Sequence, residues 1–329
     1  AGAAMASDAP KIYSLAKVTA ALRAIPGDRI VDAMAEGFVA YSSGRVSVPP
    51  PQTLGQPPLA SFVGHPDAQA CIKSAYENGG DVFVTKVASG GGGSNSGLVM
   101  VFSQRTFRPE AILLDEGLLT EVRTAAAGAL AARLFAPPEL RQIGLLGGGV
   151  QAKFQLQMLA AVTPCRRVKA WARTLGKVES LAKELAAEGW QIEVVASAEK
   201  ACSEAGLILT TTPSREPLVQ ASWVQGRPVL ITAIGADSVG KQELDPALVA
   251  AADLVVVDSR EQCVERGELQ HAVKAGLKSA ASVVELGEWL ADDKRRTGAR
   301  PRLVVFDSTG VAVQDVKIAQ LVLNALQPK

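Results

Sequence analysis

The sequence predicts an α/β fold, with a doubly wound parallel sheet in its second part and another α/β domain ahead of it. Three observations support this. From Gln142 onward, short apolar runs recur at Ile143–Leu146, Val168–Ala172, Ile192–Val195, Leu207–Thr211, Val229–Ile234, Leu254–Val257 and Leu303–Phe306, with helical segments between most of them. Strands that are apolar throughout are those covered on both faces, and intervening helices make the crossovers parallel. The stretch Gly147-Gly148-Gly149-Val150-Gln151-Ala152 follows the first of these runs and opens a helix. Finally, 329 residues exceed one ordinary core and call for about two domains.

The elements follow in order. Val18, Leu22, Ile30, Met34 and Phe38 recur at helical spacing and are interrupted by Pro26-Gly27, which reads as two helices joined by a turn. Arg45-Val46-Ser47-Val48 alternates as a strand, and Pro49-Pro50-Pro51 ends its pairing, leaving an extended segment at a sheet edge. Strands are expected at Ala70–Tyr76, Asp81–Ala88, Gly97–Ser103 and Ala111–Asp115. Between the second and third lies Ser89–Gly97, a glycine and serine tract that reads equally as a flexible linker or as a ligand-facing loop. Leu118–Phe135, rich in alanine, reads as a long helix, and Pro137-Pro138 marks the domain boundary. A final helix covers about Val316–Leu326.

Composition narrows the function. Lys plus Arg number 34 and Asp plus Glu 33, a net charge of +1, so neither nucleic acid nor an anionic membrane is an expected partner. No apolar run is long enough to span a bilayer, and the start lacks the basic-then-apolar pattern of a signal peptide. A cytoplasmic protein is the expectation. Cys71, Cys165, Cys202 and Cys263 lie far apart with no CxxC pair, which argues for a reducing compartment and against a metal site. Each reads as a small buried apolar residue. With only His65 and His271, acid/base chemistry must rest on Lys, Asp, Glu, Arg or a cofactor. His65 reads as a solvated loop residue, with approach to a ligand pocket as the alternative, and His271 as lying on a helix surface.

The spacing Gly147-x-Gly149-x-x-Ala152 fits the dinucleotide fingerprint of a Rossmann domain. Such a turn has no side chain in the way, so a pyrophosphate can approach backbone N–H groups at the positive end of a helix. The glycines alone also fit an ordinary α/β turn. About 20 residues on, where the fingerprint meets the adenosine ribose, the chain reads Ala172-Arg173-Thr174. Arg173 offers a planar cationic fork to a 2′-phosphate where NAD(H) readers place a carboxylate. The expected cofactor is therefore NADP(H), with NAD(H) as the alternative and Arg173 as a plain surface residue the bland reading.

Four stretches, in order along the chain, resemble the ornithine cyclodeaminase/mu-crystallin family. They are Leu119–Ala127, Gly147–Ala152, Ile234-Gly235-Ala236-Asp237-Ser238-Val239-Gly240-Lys241-Gln242-Glu243-Leu244 and Phe306-Asp307-Ser308-Thr309-Gly310. The resemblance implies that residues 1–136 with 313–329 form a substrate-binding and dimerisation domain, and that 137–312 form a Rossmann NADP(H)-binding domain. It implies a homodimer, a small amino, imino or keto acid as substrate, and imine or ketimine reduction or amino-acid dehydrogenation. Cyclodeamination and cofactor-dependent small-ligand binding are the other activities it implies.

The site residues follow from the same resemblance. Lys86 matches an active-site lysine, Arg123 a carboxylate-holding arginine and Asp237 an acid/base aspartate. Thr124, Val150, Gln151, Thr211, Thr212, Lys241 and Ser308 match positions around the cofactor. Each role also suits its chemistry: Arg clamps a carboxylate in bidentate fashion, Lys stabilises developing negative charge, and a carboxylate moves a proton at nitrogen. The alternatives are a strand-edge charge, a helix-surface residue and a turn former. One departure concerns substrate recognition. Many members carry a second carboxylate-binding arginine where this chain has Gln52, and Lys73 is the candidate to replace it. No function is read for Thr106-Phe107-Arg108.

Overall fold

The computed structural model describes residues 9–55, 68–91 and 94–327, so His65 lies outside the described residues. Strand β1 (Lys11–Tyr13) precedes helices α1 (Leu15–Arg23) and α2 (Gly27–Ser42), which are parted at Pro26. The prolines leave two short strands, β2 (Val46–Ser47) and β3 (Gln52–Leu54). Both pair with β4 (Gln69–Glu77), so pairing resumes after Pro51 instead of ending there.

Gly92 and Gly93 of the glycine tract lie outside the described residues, and the rest of the tract is strand, not flexible linker. Strands β5 (Val82–Gly91) and β6 (Ser94–Ser103) run through it in register as far as Gly91 opposite Ser94, because closing a hairpin satisfies backbone groups that glycine alone leaves exposed. Strand β7 (Pro109–Leu113) and helix α3 (Leu118–Phe135) follow, with the Asp115 carboxylate accepting the Leu119 N–H at the start of α3 (2.9 Å).

The rest alternates. Strand β8 (Ile143–Leu146) leads to α4 (Val150–Leu159), β9 (Arg167–Trp171) to α5 (Leu175–Leu185), and β10 (Gln191–Val194) to α6 (Ala198–Cys202). Then come β11 (Leu207–Thr210), β12 (Arg215–Val219), β13 (Val229–Ala233), β14 (Gln242–Leu244), α7 (Pro246–Ala251), β15 (Leu254–Val257), α8 (Arg260–Arg266) and α9 (Leu269–Lys274). The chain closes with β16 (Val284–Glu285), α10 (Leu286–Ala291), α11 (Asp293–Thr297), β17 (Leu303–Asp307) and α12 (Ala312–Leu326). No helix among the described residues is long and apolar enough to cross a membrane.

The elements form two compact units. Unit 1 comprises residues 1–33, 43–123 and 311–329. Its sheet has the order β1-β7-β6-β5-β4-β2, with β3 also on β4, and α12 packs against β4 and β5. The covered face is lined by Ala75, Val84, Val99, Val101 and Leu113.

Unit 2 comprises residues 34–42 and 124–310. Its sheet has the order β10-β9-β8-β11-β13-β17-β15-β16, and every pair is parallel. The fold is therefore Rossmann-like α/β. Strands β8, β11, β13 and β15 are buried almost throughout, as their unbroken apolar runs require. The winding direction changes between β8 and β11. The carboxyl ends of these two strands are where an open α/β sheet binds its ligand.

Candidate functional site

In unit 1 a single carboxylate gathers positive charge. Lys86 lies mid-strand in β5 on the covered face, directly opposite Lys73 of β4. Like charges opposed in a sheet repel, so an arrangement of this kind needs a counter-charge. Asp315 of α12 provides it: Oδ1 accepts a hydrogen bond from Lys86 Nζ at 3.0 Å and lies 3.2 Å from Arg123 Nε. All three side chains are buried. Gln314 completes the arrangement, because its Oε1 accepts from Arg123 Nη1 (3.2 Å) and from the Val311 N–H at the start of α12 (2.9 Å), while its Nε2 donates to the Arg123 carbonyl (3.2 Å).

Burial lowers the Lys86 ammonium to about 8, with Arg123 and Lys73 pushing the same way and Asp315 opposing. Burial would raise the Asp315 carboxyl, but Lys86, Arg123 and Lys73 together hold it below its ordinary value. Asp315 Oδ2 is buried without a hydrogen-bond partner among the described residues. Gln52 sits on β3 opposite Ile72 and is exposed.

In unit 2 the glycine turn has the shape a pyrophosphate needs. Gly147 has φ of 118°, and a Cβ there would collide with Thr211 Oγ1. A Cβ at Gly148 would come within 3.0 Å of the α5 backbone, whereas one at Gly149 would meet nothing among the described residues. Gly149 is the N-cap of α4 and no side chain caps it, so the first N–H groups of α4, at Val150, Gln151 and Ala152, have no partner within the helix. Open space above the N–H groups at a helix start fits a dinucleotide pyrophosphate. Val150 is more than half exposed there.

Gln155 ties this helix to α3, donating to the Thr124 carbonyl (3.2 Å) and to Gln151 Oε1 (3.3 Å). The turn is also fixed to β9, since the Gly147 N–H donates to the Trp171 carbonyl (2.9 Å). Arg173 and Thr174 follow Trp171 closely and are exposed, with Thr174 as the N-cap of α5.

The loop after β13 holds Asp237. Its Oδ1 accepts from Lys241 Nζ (2.6 Å) and Ser238 Oγ (3.0 Å), and the side chain is half exposed. His271 is only partly the helix-surface residue expected: its Nε2 lies 2.8 Å from the Lys241 carbonyl, so it fastens this loop to α9. The Thr211 hydroxyl donates to the Leu146 carbonyl (3.3 Å), the Thr212 N–H donates to Glu243 (2.5 Å), and the Ser308 hydroxyl is buried against Asp258 (3.0 Å).

Several of these groups escaped sequence reasoning. Asp315 and Gln314 interrupt an apolar helix, a signal that could have exposed them. Glu243, Glu268, Asp258 and Asp307 are buried carboxylates packed at strand ends and loops of unit 2. Burial pushes Glu243 up, Glu268 well up and Asp307 to about 7.

Comparison with known proteins agrees with the fold. The family model for the ornithine cyclodeaminase/mu-crystallin family matches residues 76–329. An uncharacterized cyclodeaminase of Sinorhizobium fredii is 37% identical over 289 residues, covering 85% of this chain and 87% of that one. The iminosuccinate reductase of Paracoccus denitrificans is 35% identical over 283 residues, covering 83% and 86%. Its crystal structure in complex with NAD+ superposes with a TM-score of 0.85 at 30% identity, over 96% of each chain. An archaeal alanine dehydrogenase dimer with bound NAD gives a TM-score of 0.85 at 29% identity, over 96% and 95%.

Proposed function

The chain belongs to the ornithine cyclodeaminase/mu-crystallin family, and from that premise we propose that it is a nicotinamide-dinucleotide oxidoreductase acting at the C–N centre of a small amino or imino acid. The favoured direction is reduction of an imine or ketimine, with amino-acid dehydrogenation as its reverse. One observation carries the reading: two buried cations, Lys86 and Arg123, converge on a single carboxylate oxygen. A substrate carboxylate needs the same pair of donors, and Lys73 stands beside them.

Arg123 and Lys86 hold the acid, and Asp237 exchanges a proton with the substrate nitrogen while Lys241 keeps its carboxylate in place. Gly147 and Gly149 leave room for the pyrophosphate, and the N–H groups of Val150, Gln151 and Ala152 bind it, with Thr124, Thr211, Thr212 and Ser308 around the nicotinamide end. When bound there, a nicotinamide would supply hydride to the substrate Cα or accept it. Exposed Arg173 favours a 2′-phosphate, hence NADP(H), although the relatives above were solved with NAD.

The protein acts as a homodimer in the cytoplasm, where its four free cysteines stay reduced. The dimer forms on the sheet face opposite Lys86. There Tyr76, Phe83 and Phe102 stand in one cross-strand row and Thr85, Met100, Ile112 and Ile12 in the next. The Phe83 and Phe102 rings stack at 4.7 Å, and Ile12 is 63% exposed.

The test is to load the protein with NADPH or NADH and screen keto acids with ammonia or methylamine, together with cyclic imino acids, for loss of nicotinamide absorbance. One acid should consume the reduced cofactor, and Asp237→Asn should lower turnover by about a hundredfold or more while cofactor affinity holds. Ammonia release from ornithine or lysine without net absorbance change would point to the cyclodeaminase chemistry named for the Sinorhizobium relative. Binding without turnover of any acid would leave a small-ligand binding protein. Arg173→Asp should weaken NADPH far more than NADH, and an equal loss for both removes Arg173 from cofactor choice.

A further inference from the structure

Apart from the groups already given roles, unit 2 contains a buried carboxylate whose side-chain partners all lie at the ends of β11 and β13. Glu243, on β14, is fully buried. Its Oε1 accepts the Thr212 N–H at 2.5 Å, and its Oε2 accepts the Gly235 N–H at 2.8 Å and the Thr210 hydroxyl at 2.6 Å. Thr210 and Thr212 flank the end of β11, and Gly235 opens the loop after β13. One side chain therefore joins the two loops that hold Thr211, Thr212 and Asp237.

Gly235 permits the approach: a Cβ there would overlap the Thr212 carbonyl and sit 2.6 Å from Glu243 Cδ. Glu243 is itself held, because Glu268 accepts the backbone N–H groups of Glu243 (2.7 Å) and Leu244 (3.0 Å). Glu268 thereby supplies β14 with acceptors that a neighbouring strand would otherwise give. The far side of the Asp237 loop is also pinned. The Gly240 N–H donates to Gln270 Oε1 (3.0 Å), and the Lys241 carbonyl meets His271.

We infer that Glu243 is a positioning residue: it clasps the root of the Asp237 loop to the end of β11 and so fixes the direction in which Asp237 is presented. Its effect on chemistry rests on the acid/base role proposed for Asp237; the clasp itself does not. Both backbone partners are N–H donors, so neither can accept a hydrogen bond from it. Glu243→Gln has the same shape but must turn an NH2 toward Thr212 or Gly235, which loses one of the two backbone bonds.

The experiment is residue-resolved hydrogen exchange on full-length wild type, Glu243→Gln and Glu243→Asp, with NADH binding by fluorescence and, on any substrate found, kcat and KM. Exchange at Thr212 or Gly235 should rise at least about tenfold in Glu243→Gln, while the β11 and β13 amides keep their protection. The cofactor should still bind, and kcat should fall much more than KM changes.

Wild-type protection at both amides would overturn the inference. So would loss of protection across β11 and β13, or failure of both variants to fold, since either makes Glu243 a core residue only. Local opening in a protein with no activity leaves the clasp standing and sinks the functional reading instead.

Discussion

Lys86 carries a charge that its surroundings only just support. Burial brings its ammonium down from the ordinary 10.5 to about 8, close to working pH. Below that pH Lys86 is a cation, as the proposed grip on a substrate carboxylate requires, and above it the cation is lost. KM for the acid should therefore rise with pH above about 8, approaching about tenfold per pH unit, while kcat changes less. Lys86→Gln should abolish that rise, and a variant that keeps the wild-type profile would assign the titration to another group. In the sequence Lys86 was picked out through the family resemblance, and Arg123 through the resemblance and as a charge among small apolar neighbours. Asp315 was marked only as an acid on an apolar helix, and its pairing was not legible, because it follows Lys86 by 229 residues and only the folded chain joins them.

Among the elements, the glycine turn separates two requirements that look alike in sequence. Gly147 is fixed by backbone conformation, with φ of 118° and Thr211 against it, whereas Gly149 has φ of −90° and open space around it. Gly147→Ala should destabilise the chain by more than about 1 kcal/mol. Gly149→Ala should leave the melting temperature nearly unchanged, yet weaken the cofactor by about tenfold or more because its methyl enters the pyrophosphate space. Unaltered NADH affinity in Gly149→Ala would show that the pyrophosphate lies elsewhere.

Helix α3 and strands β8 and β15 matched their sequence patterns end to end, since long periodic or wholly apolar runs fix their own extent. Strands β12 and β14 did not. Pro217 lies inside β12 and argues locally against a strand, and both exist because they pair with each other and because Glu268 supports β14.

For the whole molecule, the buried carboxylates make stability depend on pH in a direction opposite to that of paired surface acids. Asp307, buried beside Asp258 and Cys263, is raised from the ordinary 3.8 to about 7. Between those values the folded chain holds a proton that the unfolded chain has released. Its contribution is complete below about pH 4 and is lost as pH rises through about 7. Asp307 Oδ2 accepts the Leu269 N–H (2.9 Å) and Oδ1 has no hydrogen-bond partner among the described residues, so Asp307→Asn keeps the bond and removes the titration. Thermal melts of the two should converge at low pH and diverge toward neutrality, the wild type becoming the less stable. Parallel curves would exclude Asp307 as the source. Nothing in the composition announced this, because a net charge of +1 says nothing about which carboxylates are buried.

The counter-ion of Lys86 and Arg123 has an address with a consequence for synthesis. Unit 2 is complete in the chain by Gly310, and Asp315 comes only afterwards, on a helix that returns to unit 1. As the polypeptide emerges from the ribosome, the cations of β4, β5 and α3 exist long before the acid that neutralises them. The Lys86–Asp315–Arg123 cluster therefore closes only after α12 has been made, when unit 2 is already complete in the chain.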